Sequence, residues 1–143
     1  MSGVRASRDR IQSVRRSSMT LTSYGKELIL DLHECDPQTF TRDSIEGYFE
    51  ELCDLIDMER CDLHWWDDYG VPPEEQETEP HLKGTSAIQF ISTSNITIHT
   101  LDLMKNVYLN IFSCKDFNPA IAKQFSEEWF KGKTVNEHII DRV

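Results

Sequence analysis

Two runs in the second half of the chain alternate apolar and polar residues with a period of two. A sheet dry on one face and wet on the other satisfies both. Residues 96–101 put Ile96 and Ile98 on one face and Thr97 and His99 on the other. Residues 107–114 put Val107, Leu109 and Ile111 on one face, with Tyr108, Asn110, Phe112 and Cys114 opposite. Lys105-Asn106 between them reads as a hairpin turn, which makes the pair antiparallel. β-Rich stretches at 27–32, 61–66 and 85–91 add strands, and the polar residues 92–95 form a bend.

Helices supply the cover for the dry face. Between 41 and 59, Ile45, Phe49, Leu52 and Ile56 recur every three or four residues, which predicts a helix with one apolar stripe and Cys53 beside it. A last helix starts at Asn118-Pro119, a cap followed by proline at the first helical position. Its inner stripe is Ile121, Phe125 and Trp129, and Gly132 stops it. The order β-α-β-loop-β-β-β-α predicts an α/β (α+β) two-layer sandwich, a mainly antiparallel sheet with helices packed on one face. The loop, 67–83, carries Gly70, Pro72, Pro73 and Pro80 with acids at Glu74, Glu75, Glu77 and Glu79, and is long for a compact domain.

The chain has 143 residues, the size of one domain, and a net charge of −10. Five arginines and one aspartate in residues 1–18 give that stretch +4 and leave −14 for the rest. So acidic a body repels phosphates and excludes nucleic acid as the main partner. Residues 1–23 read as a basic, disordered leader, or as sequence upstream of a start at Met19. No apolar run reaches a membrane span and no secretory signal is visible, so the expected location is cytoplasmic, with no membrane partner. Cys35, Cys53, Cys61 and Cys114 contain no CxxC pair and read as free thiols. His33 and Cys35 would share a strand face, but no second pair completes a metal site, and none is expected.

Ser86, Ser92, Thr93, Ser94, His99 and Cys114 crowd the β-rich half. A hydroxyl, an imidazole and a thiol on adjacent strands suit a nucleophile with proton-transfer partners. Residues 84–114 read GTSAIQFISTSNITIHTLDLMKNVYLNIFSC. This resembles the prokaryotic S-adenosylmethionine decarboxylase proenzyme family, whose core segment runs G-x-S-G, a strand, E-S-H-I-S-I-H-T, and ends in F-T-C. Residues 25–37, GKELILDLHECDP, resemble that family's opening strand, G-x-H-L-x-x-D-x-x-x-C-D-P. The likeness extends from about Tyr24 to the last helix.

The resemblance implies self-cleavage between Thr93 and Ser94. Ser94 would attack the Thr93 carbonyl, and elimination and hydrolysis would leave a pyruvoyl cofactor on residues 94–143. This group forms a Schiff base with the substrate amine and acts as the electron sink for decarboxylation. His99 matches the histidine that moves protons during processing, Ser86 a serine that supports it, and Cys114 the thiol that reprotonates the substrate carbon. The family's working form is a homodimer of processed protomers with sites near the interface, and its product feeds spermidine synthesis.

The chain departs from the pattern at three places. Thr93 and Asn95 flank Ser94 where the family has glutamate and histidine, and Leu101-Asp102-Leu103 stands where it often has Trp-Pro-Glu. That glutamate is expected to hold the substrate's ribose, and Leu103 cannot accept those hydrogen bonds. The substrate-binding residues are therefore left open. Two alternatives stand beside S-adenosylmethionine: a pyruvoyl-dependent ornithine or arginine decarboxylase on the same scaffold, with Asp67, Asp68, Glu74–79, Trp65 and Trp66 as candidates for holding a cation, and an unprocessed pseudoenzyme that binds and regulates a partner.

Overall fold

The computed structural model describes residues 22–143, so the expected basic leader, apart from its last two residues, lies outside them. Six strands form one sheet: β1 (Gly25–His33), β2 (Arg60–Trp66), β3 (Gly84–Ile91), β4 (Ser94–Leu101), β5 (Asn106–Ser113) and β6 (Lys133–Arg142). Their order is β2-β3-β4-β5-β1-β6, and each neighbouring pair is antiparallel. Helices α1 (Arg42–Leu55) and α2 (Pro119–Phe130) cover one face, giving the expected α+β sandwich.

The alternation of the strands becomes the two faces of the sheet. Leu28, Leu30, Leu32, Ile96, Ile98, Val107, Leu109 and Ile111 point under the helices and are fully buried. Each such side chain stabilises the fold by about 1.5–3 kcal/mol. Ile45, Tyr48, Phe49, Leu52 and Phe130 close the core from the helix side. The other face carries Trp66, Ile88, Phe90, His99, Phe112 and Ile140, and no element among the described residues covers it.

Several expectations are corrected. The first helix ends at Leu55, where Ile56 caps it and Asp57 takes a left-handed φ of 57°. The stripe of α2 is wider than expected: Phe125 and Trp129 pack half-buried against the core, Ala122, Ser126 and Phe130 are fully buried beside them, and Ile121 is 43% exposed. Ser126 reaches the core because its hydroxyl is satisfied there, by Tyr48 at 2.7 Å and by the Ala122 carbonyl at 2.7 Å. The turn between β4 and β5 is residues 102–105, with Lys105 left-handed, and Asn106 already belongs to β5. His33 and Cys35 do not share a strand face. Glu34 turns the chain at φ 59°, and Cys35 enters the core, where burial raises its thiol to about 12. Finally β6 follows α2 and pairs with β1, a strand absent from the expected order.

Candidate active site

The bend expected at 92–95 is a two-residue loop, Ser92-Thr93, which joins β3 to β4 and sets Ile91 opposite Ser94. Thr93 adopts a φ of 55°, a conformation that glycine tolerates and a β-branched residue resists. Ser94 follows at once. It shares the parity of Ile96 and Ile98, and only 6% of it is exposed. Its Oγ accepts a hydrogen bond of 2.8 Å from the backbone N–H of Cys114, just past the end of β5. The Cys114 thiol lies 2.8 Å from the Thr93 hydroxyl. That hydroxyl, then the Ser94 hydroxyl, hold the thiol below its ordinary range, and Tyr24 adds a smaller effect.

The surroundings of Cys114 come from three further elements. Gly25 crosses directly over Ser113 and Cys114, where any side chain would collide with the Ser113 carbonyl and the Cys114 backbone. That crossing leaves Tyr24 stacked on Phe112, with ring centroids 6.3 Å apart. The Arg142 guanidinium lies 5.3 Å over the same Phe112 ring and is held by Glu27 at 2.7 Å. Sequence reasoning missed Arg142 because it missed β6. The residues Asp57, Glu59, Ser92, Thr93, Cys114 and Lys115 line a cavity of about 320 Å³ beside the loop.

Ser86 and His99 form the second centre. They face each other across β3 and β4, and the Ser86 hydroxyl is 2.8 Å from His99 Nδ1. This pair opens into a cavity of about 570 Å³ walled by Trp66, Asp67, Asp68, Glu77 and Tyr108. The loop that supplies the acids is anchored. Arg42 grips Asp67 with two bonds, of 2.8 and 2.7 Å, and stacks over Trp65 and Tyr69. Asp68 accepts from the Glu77 N–H at 3.0 Å and faces Lys83 at 3.5 Å. Trp66 pairs in register with Ser86 and is 83% exposed. Glu74, Glu75 and Glu79 are outside this cavity's lining.

The four expected residues therefore separate into two pairs. Ser94 and Cys114 sit at one end of β4, and Ser86 and His99 lie five residues along it, roughly 17 Å away at strand rise. Within one chain they do not converge. Leu103 is 59% exposed in the β4–β5 turn and lines neither cavity. Among the described residues, no three His, Cys, Asp or Glu side chains gather to hold a metal ion. No helix among them is long and apolar enough to cross a membrane.

Comparison with known proteins bears on this arrangement. The family described as S-adenosylmethionine decarboxylase matches residues 26–143. The solved adenosylmethionine decarboxylase of Aquifex aeolicus superposes with a TM-score of 0.67 at 16% identity, over 85% of this chain and 92% of that one, a likeness of fold. Among curated proteins the sequence finds no match.

Proposed function

The chain belongs to the S-adenosylmethionine decarboxylase family, and from that premise we propose that it cuts itself between Thr93 and Ser94 and decarboxylates S-adenosylmethionine, supplying the aminopropyl donor for spermidine synthesis. The observation that carries this reading is the Ser94 hydroxyl. It is shielded from water, held at 2.8 Å by the Cys114 N–H, and attached to a residue in the left-handed region. A donor at Oγ favours the alkoxide needed for attack, and backbone strain favours leaving the starting peptide.

The residues fit a pyruvoyl group derived from Ser94. The precursor serine accepts from the Cys114 N–H, and the Cys114 thiol contacts the Thr93 hydroxyl with the Tyr24 side chain also acting on it. Once formed, such a group supplies an electron sink for the carbanion left by loss of carbon dioxide. In this reading Cys114 holds the proton returned to the substrate carbon. His99, oriented by Ser86, moves protons during processing.

Separation of the two pairs supports a homodimer as the working form. A two-fold axis lying between two open sheet faces and crossing the strands reverses the partner's strands. The Ser94–Cys114 end of one chain then meets the Ser86–His99 end of the other, twice per dimer. Trp66, Ile88, Phe90 and Ile140, each at least 39% exposed, supply the apolar contact.

One observation favours a basic amino acid as substrate instead. The cavity beside His99 is walled by Asp67, Asp68, Glu77 and Trp66, and no carboxylate occupies the position of Leu103. Intact mass spectrometry is expected to show a fragment of residues 94–143, and labelled S-adenosylmethionine is expected to release carbon dioxide. Release from ornithine or arginine alone would transfer the substrate and keep the mechanism. An uncleaved chain, inert towards all three, would leave only a pseudoenzyme.

A further inference from the structure

Self-cleavage moves one oxygen atom, and the structure records what already holds it. In the acyl shift, Ser94 Oγ bonds to the Thr93 carbonyl carbon, the carbon–nitrogen bond breaks, and the hydroxyl proton ends on the Ser94 nitrogen. In the elimination, the Ser94 Cα proton passes to a base, the partner's His99 in the reading above. The Cβ–Oγ bond breaks, and its electron pair stays on Oγ. Water later replaces the nitrogen, which departs as ammonia. The former Ser94 Oγ is now one of the two carboxylate oxygens of Thr93. Before the cut, that atom sits 2.8 Å from the Cys114 backbone N–H.

Resting on the self-cleavage reading, we propose that the carboxylate released at Thr93 stays on the Cys114 N–H and keeps the neighbouring thiol protonated, so that the cut itself arms the proton donor. A backbone donor to a carboxylate is a charge-assisted bond, about twice as strong as the neutral bond it replaces, so the new chain end has reason to stay. The Thr93 side chain ties the same residue to the thiol, through its 2.8 Å contact with Sγ. In the intact chain the thiol is flanked by neutral hydroxyls, from Thr93, Ser94 and Tyr24, that favour the thiolate. After the cut, the Ser94 hydroxyl is gone and a negative charge stands in its place, which disfavours a second one.

The other charges around the thiol do not cancel that change. Lys115 shares the cavity, but its ammonium is held by the Asp57 carboxylate at 2.6 Å and the Asp57 carbonyl at 2.9 Å. Glu59, in the same lining, adds a charge of the same sign as the new carboxylate. Lys26 is engaged with Asp116 at 2.8 Å, and the Arg142 guanidinium with Glu27 at 2.7 Å. The thiol is thus held lower before the cut and raised after it, when the substrate carbon must be quenched.

The test is site-resolved alkylation of Cys114 with iodoacetamide across pH, read by mass spectrometry, on the cleaved protein and on uncleaved Ser94→Ala. Protection of the buried Cys35 and Cys53 reports that both are folded, and exposed Cys61 serves as a reference. The expected result is a midpoint for Cys114 higher in the cleaved protein by about one pH unit or more, with Cys61 unmoved. Equal or lower midpoints in a cleaved protein would overturn the proposal and leave self-cleavage standing. Absence of cleavage in the unmutated chain would overturn both. Should Ser94→Ala lose the protection of Cys35 and Cys53, the uncleaved fraction of the unmutated chain, separated by intact mass, makes the same comparison.

Discussion

The two ends of β4 are built from different materials. At the Ser94 end the groups are hydroxyls, a thiol and a backbone N–H, packed tightly about a left-handed Thr93. At the His99 end an imidazole and a hydroxyl open into a cavity walled by carboxylates and an exposed indole. The first end sets a hydroxyl beside the Thr93–Ser94 peptide but holds no imidazole. The second holds an imidazole but lies five residues along β4 from the Thr93–Ser94 peptide, roughly 17 Å at strand rise. In the proposed homodimer the two-fold axis brings these complementary halves together.

Mixing the two ends tests this most severely. Ser94→Ala and His99→Ala chains are each expected to show neither cleavage nor decarboxylation alone. Co-expressed, the intact Ser94 of one chain meets the intact His99 of the other. About a quarter of the wild-type sites then return when chains pair at random. Mass spectrometry would show cleavage of the His99→Ala chain alone. Cleavage of isolated His99→Ala protein at wild-type rate would remove His99 from processing, and no recovery on mixing would sink the shared site.

A smaller effect is expected within the Ser94 end. Thr93→Gly relieves a left-handed β-branched residue, a strain of about 1–2 kcal/mol. In the uncleaved Ser94→Ala background the denaturation midpoint is expected to rise, offset in part by the added chain entropy of glycine. With Ser94 intact, cleavage is expected to slow several-fold, because less strain is released. An unchanged or faster cleavage rate would show that the strain is idle.

Much of this was legible in the chain. Period-two alternation located β4 and β5, and apolar recurrence located α1, because burial selects residues on one side of each element. The edge strand β6 escaped for the same reason. Both its faces are largely exposed, with Ile139 at 51% and Ile140 at 42%, and a bulge opposite Asp31 and Leu32 breaks its register. Burial leaves no pattern on such a strand. The buried row of α2 was missed beside the expected Phe125 and Trp129 because a serine counts as polar in a pattern, while Ser126 is a satisfied core residue bridging to Tyr48. Ser86, Ser94, His99 and Cys114 were singled out by motif, but their separation into two pairs was not. It follows from the loop: once Ser92 and Thr93 form the turn, pairing forces Ser86 opposite His99 and strands Ser94 at the far end.

The smallest contrast lies at the carboxylate-rich end, where two aspartates on neighbouring loops that line one cavity should answer pH with opposite signs. The Arg42 guanidinium holds Asp67 below the usual carboxylate range. Stability from that contact is present above the unfolded value, near about 4, and is lost as pH falls through the lower folded value. Asp102 is raised, chiefly by burial, against the pull of Lys83 and with a push from Asp68. Its native state prefers the proton, so stability is greatest below the unfolded value and declines as pH rises through the folded one. Asp67→Asn should therefore lower the urea midpoint at pH 7 and converge on wild type only once pH has fallen through the lowered folded value. Asp102→Asn should raise it at pH 7 and converge once pH has fallen below the unfolded value. If both variants moved the midpoint in one direction, the loop would owe its hold to packing by Arg42 on Trp65 and Tyr69 rather than to charge. The cavity beside His99 would then lose its claim to an electrostatic role.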